Sequence, residues 1–519
     1  MLRAIRHLVR LIDIGHRLAR YDALFLFERF GIAPLLTSAM KALAKPPEGS
    51  PVLSLRPGQR LAHAIQGMGP SFIKFGQMLS TRSDLLGEDV AADLSALQDH
   101  LPPFPGHEAR TTVEGELGKP VEELFRHFED EPLAAASIAQ VHMATTRDGL
   151  EVAVKILRPG IEEAFQRDLD LFLWLAGLVE RGAPALRRLK PVEVVRTMAE
   201  TVSLEMDLRF EAAAASEMAE NFKGDPTFRV PAVDWERTAR RVLTMERVSG
   251  IPIDERELLV AAGHDLRQVM TKAGAALFNQ AFRDGFFHAD LHPGNMFVDE
   301  TGNIIAVDFG IMGRLDARTR NYLADMLMGF LSGNYRGAAD AHFKAGYVPA
   351  HKSLPAFTQA CRSIAEPILG KPLNEISIAR LLGQLFQVAR TFEMETQPQL
   401  LLLQKSMLVA EGVGRKLDPA INIWELIRPL IEQWMADNRG PQARLKQAAA
   451  DAVAALERLP AALAGAENAF AMLAEGGFRL HPDTVRALTE AGGRDNRAYL
   501  YALWLAVAMI SLIAVSLLL

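Results

Sequence analysis

The stretch His288–Gly310, HADLHPGNMFVDETGNIIAVDFG, limits the possible folds more than any other part of the chain. It sets Asn295 five residues after Asp290 and Asp308 thirteen residues after Asn295. Phosphoryl transfer needs a carboxylate to orient or deprotonate the acceptor. It also needs an Asn and an Asp to hold Mg²⁺ on the nucleotide phosphates. Asp290, Asn295 and Asp308 stand at the spacing of the catalytic loop and DFG motif of protein kinases. Pro293-Gly294 reads as a loop, and Asn295–Val298 and Ile304–Val307 read as a hairpin turned at Glu300–Asn303. Asp290 is then delivered from a loop and Asp308 from a strand end. His288, Asp290 and His292 alternate along an extended segment, so a metal-hydrolase cluster is the competing reading.

A kinase-like site also needs an upper lobe. Leu150–Leu157 alternates as a strand, with Val152, Val154 and Ile156 on one face and Lys155 on the other beside Ala153 and Leu157. A lysine ending a Val-Ala-Val run is the residue that kinases place on the α- and β-phosphates. Upstream, where such a fold carries a glycine-rich loop, stand Leu133, Ala134, Ala135, Ala136, Ser137, Ile138, Ala139, Gln140 and Val141. Alanines in place of glycines predict a stiffer turn that approaches phosphates less closely. The expected consequence is nucleotide binding with altered geometry.

The phosphate lysine needs an acidic partner on a helix. The segment Ser203–Ala213 reads as one helix in which Asp207 and Glu211, four apart, share a face. Glu205, about 200° round from Asp207, points elsewhere. One acid is thereby free to pair with Lys155 while another serves a different contact.

At 519 residues the chain suggests two or three structural units. A net charge of −6 gives no case for nucleic acid as a partner. The single cysteine, Cys361, excludes an intramolecular disulfide framework and a Cys-based zinc site. Both ends carry membrane signals. The first twenty residues hold Arg3, Arg6, Arg10, Arg17 and Arg20 against Asp13, with Leu2, Ile5, Leu8, Val9 and Ile12 at helical spacing. Such a helix fits an anionic membrane surface or the surface of the globular body. Ala498–Leu519 has 22 residues without a charge. At roughly 1.5 Å per residue that is about 33 Å, against a hydrocarbon core of about 30 Å. Tyr499, Tyr501 and Trp504 near one end, with Arg494 and Arg497 just before, predict a single-pass anchor whose large domain faces the cytoplasm.

Together, Gly69–Gln77 (GPSFIKFGQ), the AAAS loop, Glu205-x-Asp207 and HADLHPGN with DFG resemble the UbiB family of atypical kinase-like proteins. The resemblance implies an α+β, two-lobed protein-kinase-like fold with an N-terminal helical extension and a C-terminal transmembrane helix. It implies ATP and Mg²⁺ as cofactors and a bacterial inner-membrane location. The implied role lies in ubiquinone (coenzyme Q) biosynthesis. Anionic lipids and prenylated phenol or quinone intermediates, or the enzymes that make them, are the implied partners, and a homodimer is left open. By position, Lys74 and Gln77 match the family's K-x-G-Q on the extension that covers a protein-substrate site. Glu205 and Asp207 match its E-x-D. Lys155 and Glu211 match the phosphate lysine and its ion-pair partner, Asp290 the catalytic aspartate, and Asn295 and Asp308 the metal ligands. Ala289 stands where many kinases carry the arginine that reads a phosphorylated activation loop, so no such switch is expected. Two rival readings remain: a small-molecule phosphotransferase of the aminoglycoside-kinase type, and a nucleotide-binding scaffold without catalysis.

The expected organisation is a basic amphipathic segment and linker at 1–60 and the helical extension at 61–110. An N-lobe with a helical insertion at 111–248 precedes a C-lobe at 249–435. A helical linker at 436–497 leads to the anchor at 498–519.

Overall fold

The computed structural model describes residues 2–25, 51–80, 86–95, 97, 101–182, 190–369, 371, 378–394, 397–420 and 423–440. The anchor expected at 498–519 lies outside them; among the described residues no helix is long and apolar enough to cross a membrane. The chain divides into two units, Met1–Met435 and Ala436–Leu519, and the elements that build the site all belong to the first.

The first helix, α1 (Leu2–Arg20), buries Ile14, Leu18 and Ala19 in the main core, while Val9 and Ile12 face outward. It therefore packs on the globular body and still presents apolar side chains to solvent. Helices α2 (Pro57–Gln66), α3 (Pro70–Ser80) and α4 (Glu88–Ser95) follow, in the region where the extension at 61–110 is expected. Phe72 and Phe75 of α3 clamp Phe172 at ring-centroid distances of 5.0 and 4.8 Å, which ties α3 to the helix that carries Phe172.

After α5 (Gly106–Leu117) and α6 (Val121–Leu124) comes an antiparallel sheet of β1 (Phe125–Phe128), β2 (Ala134–Ala135), β3 (Ala139–Thr146), β4 (Glu151–Leu157) and later β6 (Val242–Glu246). The path is β1-β3-β4-β6, with β2 paired to β3. Period-two alternation fixes the register. Val152, Val154 and Ile156 go into a core with Ala109 and Val113 of α5, which leaves Lys155 on the opposite face. Between β4 and β6 lie α7 (Ile161–Gly182), α8 (Pro191–Glu205), α9 (Leu208–Asn221) and the short strand β5 (Phe228–Arg229).

The helix expected across Ser203–Ala213 is two helices. Asp207 takes an extended conformation, and its carboxylate accepts from Arg209 N at 3.2 Å, capping α9. Leu208 N donates to Arg240 O rather than continuing the helical ladder. The break sends Glu205 and Glu211 to different parts of the molecule.

The lower part contributes β7 (Ile251–Pro252), α10 (Arg256–Ala261), α11 (Leu266–Phe278), β8 (Phe286–His288), β9 (Met296–Val298), β10 (Ile304–Ala306) and β11 (Met312–Arg314). The expected hairpin is the antiparallel pair β9–β10, closed by Asp299 Oδ1 accepting from Thr301 N and Asn303 N. Strand β8 pairs with β11, with His288 opposite Met312 and Phe287 opposite Gly313. The rest of the described chain is helical: α12 (Ala317–Leu331), α13 (Tyr335–Lys344), α14 (Leu354–Ala365), α15 (Ile378–Thr391), α16 (Pro398–Leu417) and α17 (Ile423–Arg439).

Candidate active site

Strand register carries Lys155 to the ends of α9 and β10. Its Nζ donates to Glu211 Oε1 and Oε2 at 2.8 and 2.9 Å and to Asp308 Oδ1 at 2.8 Å. The ammonium thus joins the upper sheet, the helix behind it and the DFG segment. Burial opposes its charge, but the two carboxylates outweigh burial and raise its pKa above the ordinary lysine value. Burial raises Glu211 to about 7; Lys155 pulls against this and Asp308 adds to it. The Lys155 charge holds Asp308 well below the usual carboxylate range. Asp308 sits at φ 62°, a left-handed conformation that Asp tolerates better than most residues and that turns its carboxylate from the strand end toward Lys155.

His288 locks the two halves of the motif together. Its Nδ1 accepts from Asp290 N at 3.1 Å, so its Nε2 carries the proton and donates to Val307 O at 3.1 Å. The ring is fully buried, and burial lowers its pKa, which keeps it neutral. Both nitrogens are committed to backbone, so His288 is unavailable as a ligand in the metal-hydrolase reading. No cluster of three His, Cys, Asp or Glu residues suited to a metal occurs among the described residues. Asn295 Nδ2 donates to Asp290 O at 3.1 Å and Asn295 O accepts from Val307 N at 3.0 Å, which leaves the amide oxygen for a hard cation. One carboxylate and one amide oxygen form the oxygen-only donor set Mg²⁺ accepts when substrate phosphates complete its shell, so the residues fit that ion. Ala289 is fully buried and its N donates to Ile311 O, leaving no room for an arginine at that position.

The alanine-rich segment is a tight hairpin, with Ala134 opposite Val141 and Ala135 opposite Gln140. Arg158 stiffens it from outside the motif: Nε and Nη2 donate to Ala136 O at 3.1 and 2.8 Å, and Nη1 donates to Pro102 O at 2.9 Å. Within the segment, Leu133 is exposed, Ile138 half-buried and Ala139 buried. Ser137 is fully buried and its Oγ has no hydrogen-bond partner. The Gln140 amide is spent on both backbone groups of Phe104 and on His142 Nε2, so only its backbone remains for a nucleotide. Ala135→Gly should loosen this hairpin; titration with ATP and ADP is expected to show a changed ratio of affinities, and an unchanged pair would remove the loop from nucleotide recognition.

The remaining motif residues separate into two contacts. Lys74 on α3 meets Glu205 at the end of α8 at 3.0 Å, with side chains 14% and 13% exposed. Gln77 Nε2 donates to Leu97 O at 3.4 Å. Asp207 pairs in bidentate fashion with Arg209, which holds it below its ordinary pKa, and neither it nor Glu205 reaches Lys155. Besides Arg158, two further contributors to the site carry no motif. Lys405 on α16 places Nζ 2.7 Å from Asp290 Oδ1, and Ser406 Oγ donates to His288 O at 3.1 Å.

The strand lysine, the helix glutamate and the paired Asp290 and Asp308 segments define an atypical kinase-like protein. Residues 96–342 match the ABC1 atypical kinase-like domain, and residues 361–422 match the UbiB helical domain. The chain belongs to the UbiB family. It is 46% identical over 400 residues to the probable protein kinase UbiB of Marinobacter nauticus, covering 76% of this chain and 73% of that one. It is 45% identical over 398 residues to the probable protein kinase UbiB of Pseudomonas aeruginosa, covering 76% and 75%. Among solved structures, Rv3197 of Mycobacterium tuberculosis, determined with erythromycin, matches with TM-score 0.51 and 28% identity over 69% of this chain and 90% of that one.

Proposed function

We propose that this chain is a membrane-anchored atypical kinase or ATPase that uses Mg-ATP to support ubiquinone biosynthesis, acting on polyprenylphenol intermediates or on the enzymes that handle them. The observation that carries this reading is the Lys155–Glu211–Asp308 contact assembled beside the Asp290 loop. Lys155 would hold the α- and β-phosphates, positioned by Glu211 from behind. Asn295 and Asp308 would hold Mg²⁺, which when bound neutralises charge on the phosphates. Asp290 would orient the acceptor, water included, and accept its proton. In this reading residues 111–248 and 249–435 are the two lobes. The half-buried Lys74–Glu205 pair pins the extension at 61–110 so that it limits what can reach Asp290. The basic α1 with outward Val9 and Ile12 and the apolar 498–519 segment support a bilayer location at the bacterial inner membrane.

The test is phosphate release from Mg-ATP by the full chain, with and without anionic vesicles and a phenolic quinone precursor. Asp290→Asn is expected to lower turnover by about 100-fold or more. Wild-type turnover should rise with lipid or phenol. Unimpaired release by Asp290→Asn would defeat the reading. Rescue of a quinone-deficient strain by that variant would favour a scaffold instead.

A further inference from the structure

Asp290 has an ion-pair partner that the catalytic motif does not contain. Lys405 Nζ lies 2.7 Å from Asp290 Oδ1 although 115 residues separate the two in sequence. The approach is built rather than incidental. The next residue, Ser406, is buried, and its single hydroxyl proton is shared between His288 O at 3.1 Å and Leu402 O at 3.2 Å. Leu403 of the same helix lies in the core cluster that contains Phe287 and Ala289. Helix α16 is therefore fastened to the strand that precedes Asp290, and Lys405 is delivered from that anchorage. Lys155 cannot take the same role, because its Nζ is committed to Glu211 and Asp308.

We propose that Lys405 is a positioning residue for Asp290, which makes catalysis depend on a helix outside the kinase-like motif. The inference rests on the function proposed above. Contact at Oδ1 fixes the carboxylate rotamer and leaves Oδ2 to accept the proton of the attacking hydroxyl or water. The Lys405 side chain is 51% exposed and that of Asp290 26%. A pair this open contributes little to stability, so its loss should leave the fold intact.

The test uses the full chain and compares wild type with Lys405→Met, Lys405→Arg, Asp290→Asn and the Lys405→Met/Asp290→Asn double variant. The readouts are kcat and KM for Mg-ATP, the Kd for Mg-ADP by calorimetry, and Tm. Lys405→Met is expected to lower kcat by about 10- to 100-fold, with KM, Kd and Tm close to wild type. Lys405→Arg should recover part of the loss. The double variant should turn over no more slowly than Asp290→Asn alone, because two residues acting through one carboxylate are not additive. A kcat for Lys405→Met within about twofold of wild type, or losses that multiply in the double variant, would overturn the role. So would a rise in KM at unchanged kcat, which would make Lys405 a nucleotide contact. A silent wild type, or an Asp290→Asn variant that matches it, overturns the functional reading and the role of Lys405 with it. An active wild type with a dead Asp290→Asn and an unimpaired Lys405→Met overturns only the latter.

Discussion

Asp308→Asn is expected to lower Mg-ATP turnover by roughly 100- to 1,000-fold and to weaken ATP binding only when Mg²⁺ is present. The reason is the charge arrangement around Lys155. Two carboxylates, Glu211 and Asp308, share one ammonium, so with both ionised one negative charge is uncompensated. A divalent cation is the natural counter-charge for that excess and for the nucleotide phosphates. Asn keeps the shape but removes the charged oxygen a hard cation prefers. In EDTA the sign reverses. The variant site is less repulsive to a bare polyphosphate, so metal-free ATP should bind at least as tightly as to wild type. Removing the neighbouring carboxylate should also let Glu211 fall from about 7 toward the usual range, because Asp308 is one of the causes that raise it. Calorimetric titration of ATP in Mg²⁺ and in EDTA checks both halves. Equal affinities of variant and wild type in Mg²⁺ would remove Asp308 from the metal.

The largest stability effect is expected at Gly313, through packing rather than charge. Gly313 pairs across the β8–β11 ladder with Phe287, whose ring lies directly over it. A Cβ at this position would come within 2.7 Å of Phe287 Cε2 and closer still to Cζ. Phe287 is fully buried in the cluster that holds Phe282, Leu315 and Trp434, so the ring has nowhere to swing. Gly313→Ala should therefore cost about 3 kcal/mol through overpacking and lower Tm by roughly 5 °C or more. Because β8 leads directly to His288 and Asp290, turnover at fixed temperature should fall with it. Thermal unfolding of the variant with an unchanged Tm would show that the ring can move aside.

Much of this site is legible in the sequence. Period-two alternation alone places Lys155 on a sheet face, because Val152, Val154 and Ile156 must share the opposite, buried face. The hairpin between Asn295 and Asp308 is readable from turn residues flanked by short apolar runs. Glu211 as the partner of Lys155 comes from the family resemblance, and the 2.8 Å contact is where that expectation meets the structure. The continuous helix expected through Glu205 and Asp207 does not form. Helical periodicity does not reveal that Asp207 caps a new helix and that Leu208 N turns to Arg240 O.

Local sequence determined the elements and the motif residues, since side-chain period, turn chemistry and the spacing of acids act within a few residues. The tertiary structure alone decided which elements meet. No pattern near Asp290 announces Lys405, just as none near Ala136 announces Arg158 or near Lys74 announces Glu205. Those contacts join segments far apart in the chain, and their partners are set by how apolar residues pack, such as Leu403 in the cluster that holds Phe287, and Phe75 against Phe172. Packing of that kind depends on the whole chain at once, which is why the charges it brings together could not be read along the sequence.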